Sequence, residues 1–164
     1  MPETNFQRLL ELLADSDVEF VVVGGLAATF HGSAYVTYDV DVCYHRTPEN
    51  VRRLCAALAV VKPTLRDAPP DLPFRLDPTT VLAGFNFTLD TQLGALDLLG
   101  EIDPLGEYPG VLEHSEEAEL YGRRVRVLRL PSLVRAKQAA GRTKDQLVLP
   151  ELEALLELRD KPAA

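Results

Sequence analysis

The chain has 164 residues, of which 46% are hydrophobic and 26% are charged, and its net charge is −8. This length fits one domain over residues 1–164 and excludes two full ones, and the composition excludes disordered, collagen-like and low-complexity chains. The longest uncharged apolar run, residues 20–30, is too short to cross a bilayer, and the N-terminus lacks the order of a signal peptide. We therefore expect a cytoplasmic protein without a membrane segment.

The charge is distributed unevenly along the chain. Residues 1–110 carry 16 acidic and 7 basic side chains, whereas residues 111–164 carry 9 acidic and 10 basic ones. Residues 122–144 hold eight Arg or Lys and no acidic residue, a stretch that attracts anions. The overall negative charge argues against nonspecific nucleic-acid binding. A small phosphate-bearing ligand fits better, and a solvated basic face is the alternative.

Hydrophobic periodicity predicts interleaved helices and strands in the first half of the chain. These are a helix over residues 5–14, a buried strand over 18–23, a short helix over 26–31, a strand over 39–44 and a helix that begins at Thr47 and Pro48. Within the strand over residues 39–44, strict alternation places Asp39 and Asp41 on one face.

The second half begins with a proline-rich stretch, residues 62–78, which predicts a long loop and a candidate rim or lid. The elements predicted after it are a hairpin of residues 85–89 and 95–99 joined through a turn that includes Gly94, a second hairpin over 119–128, a helix from Pro131 to Gly141 and an amphipathic helix over 147–158. The fold class is therefore α/β (α+β), a small mixed sheet with flanking helices.

One constellation in this pattern points to chemistry. Gly24 and Gly25 lie between a strand and a helix, and Asp39 and Asp41 follow after thirteen residues. Two carboxylates at positions i and i+2 of a strand point the same way, about 6.6 Å apart, which suits Mg²⁺ with its oxygen ligands. The glycines allow the backbone to approach a phosphate closely. The spacing therefore links a metal site to a phosphate site.

These residues resemble the signature of the polymerase-beta-like nucleotidyltransferase superfamily. Val23-Gly24-Gly25 and Asp39-Val40-Asp41-Val42 match it. The string VVVGGLAATFHGSAYVTYDVDV is similar to minimal bacterial nucleotidyltransferases of the abortive-infection (AbiEii) toxin type, and LGALDLLGEI and AKQAAGRTKD look like later segments of that group. The resemblance spans residues 18–160 and implies the nucleotidyltransferase fold.

The resemblance also implies the site residues. Asp39, Asp41 and Asp97 would bind two Mg²⁺ ions and catalyse transfer, with Asp90 as the alternative third carboxylate, and Gly24 and Gly25 would face the nucleotide. Lys137, on an otherwise apolar helical stripe, could reach the triphosphate as a point charge; the alternative is that it covers the core. Arg142 and Lys144 are weaker candidates for the same role.

Three functions follow from these residues. The first is a magnesium-dependent nucleotidyltransferase that binds a nucleoside triphosphate, such as ATP, and transfers the nucleoside monophosphate to a hydroxyl of RNA, protein or a small molecule. The second is a weak or inactive member of the fold that acts as a toxin-antitoxin or partner-binding component. The third is a metal-dependent phosphohydrolase. A partner protein or a homodimer could complete a site of this size.

Overall fold

A seven-stranded mixed sheet organises the computed structural model, which describes residues 3–69 and 71–160. The single-domain expectation covers 1–164, so its two ends lie outside the described residues. The strands are β1 (Phe20–Val23), β2 (Asp39–Tyr44), β3 (Thr64–Leu65), β4 (Phe87–Thr91), β5 (Gly94–Leu99), β6 (Glu101–Ile102), β7 (Gly106–Glu107), β8 (Ser115–Leu120) and β9 (Arg123–Leu128). The main sheet has the order β3-β4-β5-β2-β1-β9-β8, and β6 pairs with β7 separately.

Helices connect and flank these strands. They are α1 (Phe6–Asp15), α2 (Gly24–Phe30), α3 (Pro48–Ala59), α4 (Pro78–Ala83), α5 (Tyr108–Glu113), α6 (Leu130–Ala140) and α7 (Thr143–Asp160). The mixed α/β class expected from the sequence is confirmed. Over the described ranges, no helix combines the length and the apolar character that a bilayer crossing needs.

The first helix shows how local sequence and core packing agree. Asn5 caps α1, because its side-chain oxygen accepts a hydrogen bond from the backbone N–H of Arg8 at 3.0 Å. Leu9, Leu10 and Leu13 are fully buried on one side of this helix. This helix contacts α3, β2 and β9, so α1 packs against the main sheet and against a neighbouring helix.

The central strands β2 and β5 run parallel and fix the position of the acidic side chains. Val40 of β2 lies beside Leu96 of β5, and both are fully buried. The next position along each strand pairs Asp41 with Asp97. Because side chains alternate across a strand, these two carboxylates share the face opposite the apolar pair.

Several predicted boundaries differ from the structure. The second hairpin begins at Ser115, four residues before its predicted start, and the short helix α2 begins at Gly24, two residues before its predicted start. The hairpin strand expected at residues 85–89 lies two residues later, because Asn86 turns its side-chain oxygen to the backbone N–H of Gly100 at 2.9 Å instead of extending the strand. The expected loop over residues 62–78 contains the edge strand β3. Helix α7 begins at Thr143, four residues before the predicted start. The sequence patterns also missed the short helices α4 and α5.

Candidate functional site

Three carboxylates converge where β2 and β5 lie side by side. Asp39, Asp41 and Asp97 each place an oxygen within 4.8 Å of the other two. The register explains this, since Asp41 lies directly beside Asp97 and Asp39 precedes it by two positions on the same face. The structure therefore brings together the three aspartates that the resemblance implied, while their catalytic roles stay predictions.

Asp41 is the most enclosed of the three. Burial raises the pKa of Asp41 well above its ordinary value, and the neighbouring charges of Asp39 and Asp97 raise it further. Its Oδ1 atom is buried, and none of the described residues donates a hydrogen bond to it. Burial likewise raises the pKa of Asp97. Clustered carboxylate oxygens, of which Asp41 Oδ1 and Asp97 Oδ1 are buried without a hydrogen-bond donor among the described residues, fit a divalent cation with oxygen ligands such as Mg²⁺.

The backbone at Gly24 leaves no room for a side chain beside Asp41. Gly24 opens α2 with φ +64°, and a Cβ atom there would overlap the carboxylate of Asp41. A Cβ atom on Gly25 would lie 2.5 Å from the hydroxyl of Thr37. The two glycines therefore let the start of α2 pack directly against Asp41 and against Thr37, which precedes the strand, while their predicted approach to a phosphate stays a prediction.

We expect Gly24→Ala to lower the melting temperature and to displace Asp41. Gly122→Ala is the matched control, because Gly122 also has a positive φ, +77°, but an added Cβ would meet no atom within 4 Å. The control variant should lose only about 1 to 2 kcal/mol of folding free energy, which is the strain of a left-handed backbone at a residue with a Cβ atom. Thermal unfolding of both variants measures the difference, and equal melting temperatures would contradict the contact with Asp41.

A cleft of about 290 Å³ opens on one side of the cluster and is called the Asp41 cleft. Gly24, Asp41, Lys137, Arg142 and Asp145 line it. Lys137 Nζ lies 3.1 Å from Asp145 Oδ1, and Arg142 Nε lies 2.7 Å from Asp145 Oδ2. The buried carboxylate of Asp145 therefore holds two cations on the rim of the cleft that contains Asp41.

The charge of Asp145 should also contribute to stability. Burial favours its neutral form, but hydrogen bonds from Arg142 and Lys137 outweigh this effect and lower the pKa of Asp145. A carboxyl with a lowered pKa in the folded state stabilises the protein above its ordinary pKa, and this contribution is lost as the pH falls below about 4.

We therefore expect Asp145→Asn to lower the free energy of unfolding by about 1 to 3 kcal/mol at pH 7. The difference from the parent should shrink as the pH is lowered through the range of carboxyl titration. Glu153→Gln, at an exposed position of the same helix, should change little. Chemical denaturation at pH 7 and pH 3 checks this, and a pH-independent difference would show that the charge of Asp145 is not responsible.

A second cleft, of about 550 Å³, reaches the cluster at Asp39 and is called the Asp39 cleft. Its lining includes Thr37, Asp39, Arg66, Asp90 and Lys144. Asp90, the alternative third carboxylate, bonds to Arg66 instead, with Oδ1 3.2 Å from Arg66 Nε. It does not belong to the group of three close carboxylates among the described residues.

The basic stretch over residues 122–144 is spread over several places, one of which is the Asp39 cleft, where Lys144 lies. Arg123 pairs with Asp15 at 2.9 Å, and Arg126 bonds to the hydroxyl and carbonyl of Ser115. Lys137 and Arg142 line the Asp41 cleft instead. The stretch is therefore not one anion-binding surface, and only its later part lies at the carboxylates.

The loop between α2 and β2 is fastened to α7. Glu151 of α7 accepts hydrogen bonds from the hydroxyl of Ser33 and from the backbone N–H of Ala34, the latter at 2.9 Å. The hydroxyl of Tyr35 donates to the carbonyl of Leu147 at 3.2 Å. Helix α7 thus supports both the Lys137 and Arg142 pair and the loop that leads into Asp39.

Sequence reasoning missed Arg66 and Asp145 as parts of the site. Arg66 lies in the proline-rich segment, which has no periodicity to assign its side chain to a face. Asp145 precedes the predicted start of the last helix. One feature of the sequence could have indicated Asp145. It is the first acidic residue after the basic stretch, and it lies close in the chain to Arg142 and Lys137, with which it pairs.

Comparisons with known proteins place this geometry on a known fold. No family model matches the chain, and no curated protein matches it. Among solved structures, the chain is similar to a Thermotoga maritima protein provisionally assigned as a nucleotidyltransferase, with 17% identity, a TM-score of 0.55, and coverage of 89% of this chain and 91% of that one. It is also similar to the lincosamide antibiotic adenylyltransferase LnuA bound to lincomycin, with 12% identity, a TM-score of 0.61, and coverage of 94% and 99%. The chain therefore has the fold of these nucleotidyltransferase structures.

Proposed function

We propose that the protein is a magnesium-dependent nucleotidyltransferase. It would bind a nucleoside triphosphate such as ATP and transfer the nucleoside monophosphate to a hydroxyl of RNA, protein or a small molecule. One observation carries the proposal: three carboxylates lie within 4.8 Å of one another, and a buried oxygen of Asp41 has no donor among the described residues. Asp39, Asp41 and Asp97 would hold the divalent cation.

The reaction forms one phosphorus–oxygen bond and breaks another. The acceptor hydroxyl oxygen attacks the α-phosphorus, the bond between the α-phosphorus and the bridging oxygen breaks, and pyrophosphate leaves. When bound, a divalent cation would stabilise the charge on the attacking and leaving oxygens. Asp97, on the strand beside Asp41, would accept the proton of the attacking hydroxyl. The two carboxylates of β2 would orient the phosphate.

The Asp41 cleft supports triphosphate binding. Lys137 and Arg142 place positive charge on the same cleft wall as Gly24 and Asp41, and a triphosphate needs this compensation beside an acidic cluster. The side chain of Lys137 is 17% exposed and is held by Asp145, so little conformational freedom is lost when it contacts a phosphate. Gly24 and Gly25 would let the backbone approach the same phosphates.

The Asp39 cleft offers the acceptor a separate approach. It meets the cluster at Asp39, and its lining does not include Lys137. An acceptor and a leaving group on opposite sides of the phosphate suit in-line displacement. The AbiEii type, a toxin-antitoxin role, a cytoplasmic location and a partner protein or homodimer remain predictions from the sequence.

Incubation with triphosphates labelled at the α-phosphate, together with Mg²⁺ and candidate acceptors, tests the proposal. We expect label to move to an acceptor, with release of pyrophosphate and loss of both on addition of a chelator. Release of inorganic phosphate would favour the phosphohydrolase instead. Binding without turnover across RNA, protein and small-molecule acceptors would favour the partner-binding component.

A further inference from the structure

One cation of the chain already lies among the three carboxylates. Arg66 follows the edge strand β3, and its Nη2 atom is 2.9 Å from Asp97 Oδ1, while Nη1 is 3.8 Å from Asp39 Oδ2. The Arg66 side chain is 19% exposed. The guanidinium therefore lies on the Asp97 side of the cluster, away from the Asp41 cleft.

Contacts outside the cluster fix this position. Nη2 of Arg66 donates to the carbonyl of Leu89 at 2.7 Å, and Nε donates to Asp90 Oδ1 at 3.2 Å. The backbone N–H of Arg66 donates to the carbonyl of Thr88 at 2.9 Å. Strand β4 therefore supplies two partners of the guanidinium and one partner of the Arg66 backbone, in addition to the contacts with Asp39 and Asp97.

The charge at this position is permanent. Burial alone lowers the pKa of Arg66, but Asp97 and Asp90 outweigh that effect and raise it, and an arginine keeps its proton in proteins in any case. A divalent ion bound to Asp97 Oδ1 would lie about 2.0 to 2.1 Å from that oxygen. The guanidinium is 2.9 Å from the same oxygen, so two cations would compete for one carboxylate atom.

The other side of the cluster is different. Asp41 Oδ1 and Asp97 Oδ1 are both buried and accept no hydrogen bond from a described residue. Only Asp97 Oδ1 has the guanidinium at 2.9 Å, whereas Arg66 contacts Asp39 at 3.8 Å and forms no ion pair with Asp41. A divalent ion between Asp39 and Asp41 would therefore meet a free ligand atom and no guanidinium at bonding distance. A metal ion would therefore bind at Asp39 and Asp41, while the Arg66 guanidinium occupies the position beside Asp97.

We propose that Arg66 takes the place of one of the two metal ions, so that the protein holds a single divalent cation between Asp39 and Asp41 while the guanidinium neutralises Asp97. The proposal rests on the proposed function for the identity of the site. It narrows the two Mg²⁺ ions that the resemblance implies to one, and it removes Asp97 from the set of metal ligands given under the proposed function. Asp90 is then a positioning residue, because it holds Arg66 against Asp97.

Manganese binding without nucleotide tests this directly. Electron paramagnetic resonance counts free Mn²⁺, and it distinguishes an isolated bound ion from a magnetically coupled pair, which two ions about 3.5 to 4 Å apart would give. We expect one isolated ion in the parent protein. Arg66→Gln, which removes the charge, should bind a second ion and show the coupled signal.

Arg53→Gln is the matched control, because Arg53 lies exposed on α3 and pairs only with Glu49 among the described residues. It should bind one isolated ion, like the parent. Asp41→Asn should bind no ion at this site, which separates the site from other acidic groups on the surface. If Arg66→Gln does not fold, Asp90→Asn provides the second test, since a loosened guanidinium should admit the coupled pair at higher Mn²⁺ concentration.

A coupled pair in the parent, or a single isolated ion in folded Arg66→Gln, would overturn the proposal. The count of bound ions does not depend on turnover. A protein that binds one ion in this way but transfers no nucleotide would refute the proposed function and leave the role of Arg66 intact. A protein that transfers nucleotide and binds a coupled pair of ions would support the proposed function and refute the role of Arg66.

Discussion

Replacing Asp41 by asparagine should strongly reduce nucleotidyl transfer and remove the rise in melting temperature that we expect Mg²⁺ and a nucleoside triphosphate to produce in the parent protein. An amide offers the cation one neutral oxygen in place of a charged carboxylate, and the atom affected is the buried Oδ1 without a donor. Loss of one preorganised electrostatic contact costs about 10²- to 10³-fold in rate. The rise in melting temperature comes from binding to the native state alone, so it should disappear with the binding.

In the absence of metal, Asp41→Asn should raise the melting temperature. Asn at position 41 removes a buried carboxyl whose charged form is disfavoured by burial and by the charges of Asp39 and Asp97, as its raised pKa shows. We expect the variant to melt higher than the parent in a chelator, by about 2 to 4 °C for each kcal/mol gained. Asp71→Asn, at an exposed position, is the control for both measurements. A variant that Mg²⁺ and triphosphate still stabilise as much as the parent would exclude Asp41 as a metal ligand.

The Lys137→Met variant should bind a Mg²⁺-triphosphate about 10- to 100-fold more weakly, since a hydrogen bond to a charged group is worth about 1.5 to 3 kcal/mol. The free energy of unfolding of Lys137→Met should fall less than that of Asp145→Asn, because Asp145 retains the ion pair with Arg142. Arg135→Met removes the same charge from an exposed position of the same helix and should leave affinity unchanged. Calorimetric titration measures both, and parental affinity in Lys137→Met would assign this lysine to covering the core.

The parts of the fold that the sequence predicted are those with strong local patterns. The strand Asp39–Tyr44 has the predicted bounds. Its valines and aspartates alternate, so the sequence also assigns each of these side chains to a face of the strand. The position of Asp97 followed from the same alternation in the neighbouring strand. The pairing of Asp41 with Asp97 across two parallel strands is a long-range contact, which only the resemblance implied.

The parts that local patterns could not show depend on contacts between distant segments. Arg66 reaches Asp97, 31 positions later in the chain, from a segment rich in prolines and without periodicity. Asp145 turns inwards because Lys137 and Arg142 neutralise it, whereas an isolated aspartate favours the surface. Both residues act through charge pairing, which leaves little trace in hydrophobic periodicity.

The attachment of two parts of the site to α7 has a consequence for the order of events during synthesis. Helix α7 follows every strand of the described chain, so the ribosome releases it after the sheet that carries the three aspartates. Until α7 packs, Lys137 lacks its partner Asp145, and the loop before Asp39 lacks its attachment to Glu151. A nascent chain can therefore assemble its carboxylates first, and the side of the cleft that carries Lys137 and Arg142 is completed only when translation has passed this helix.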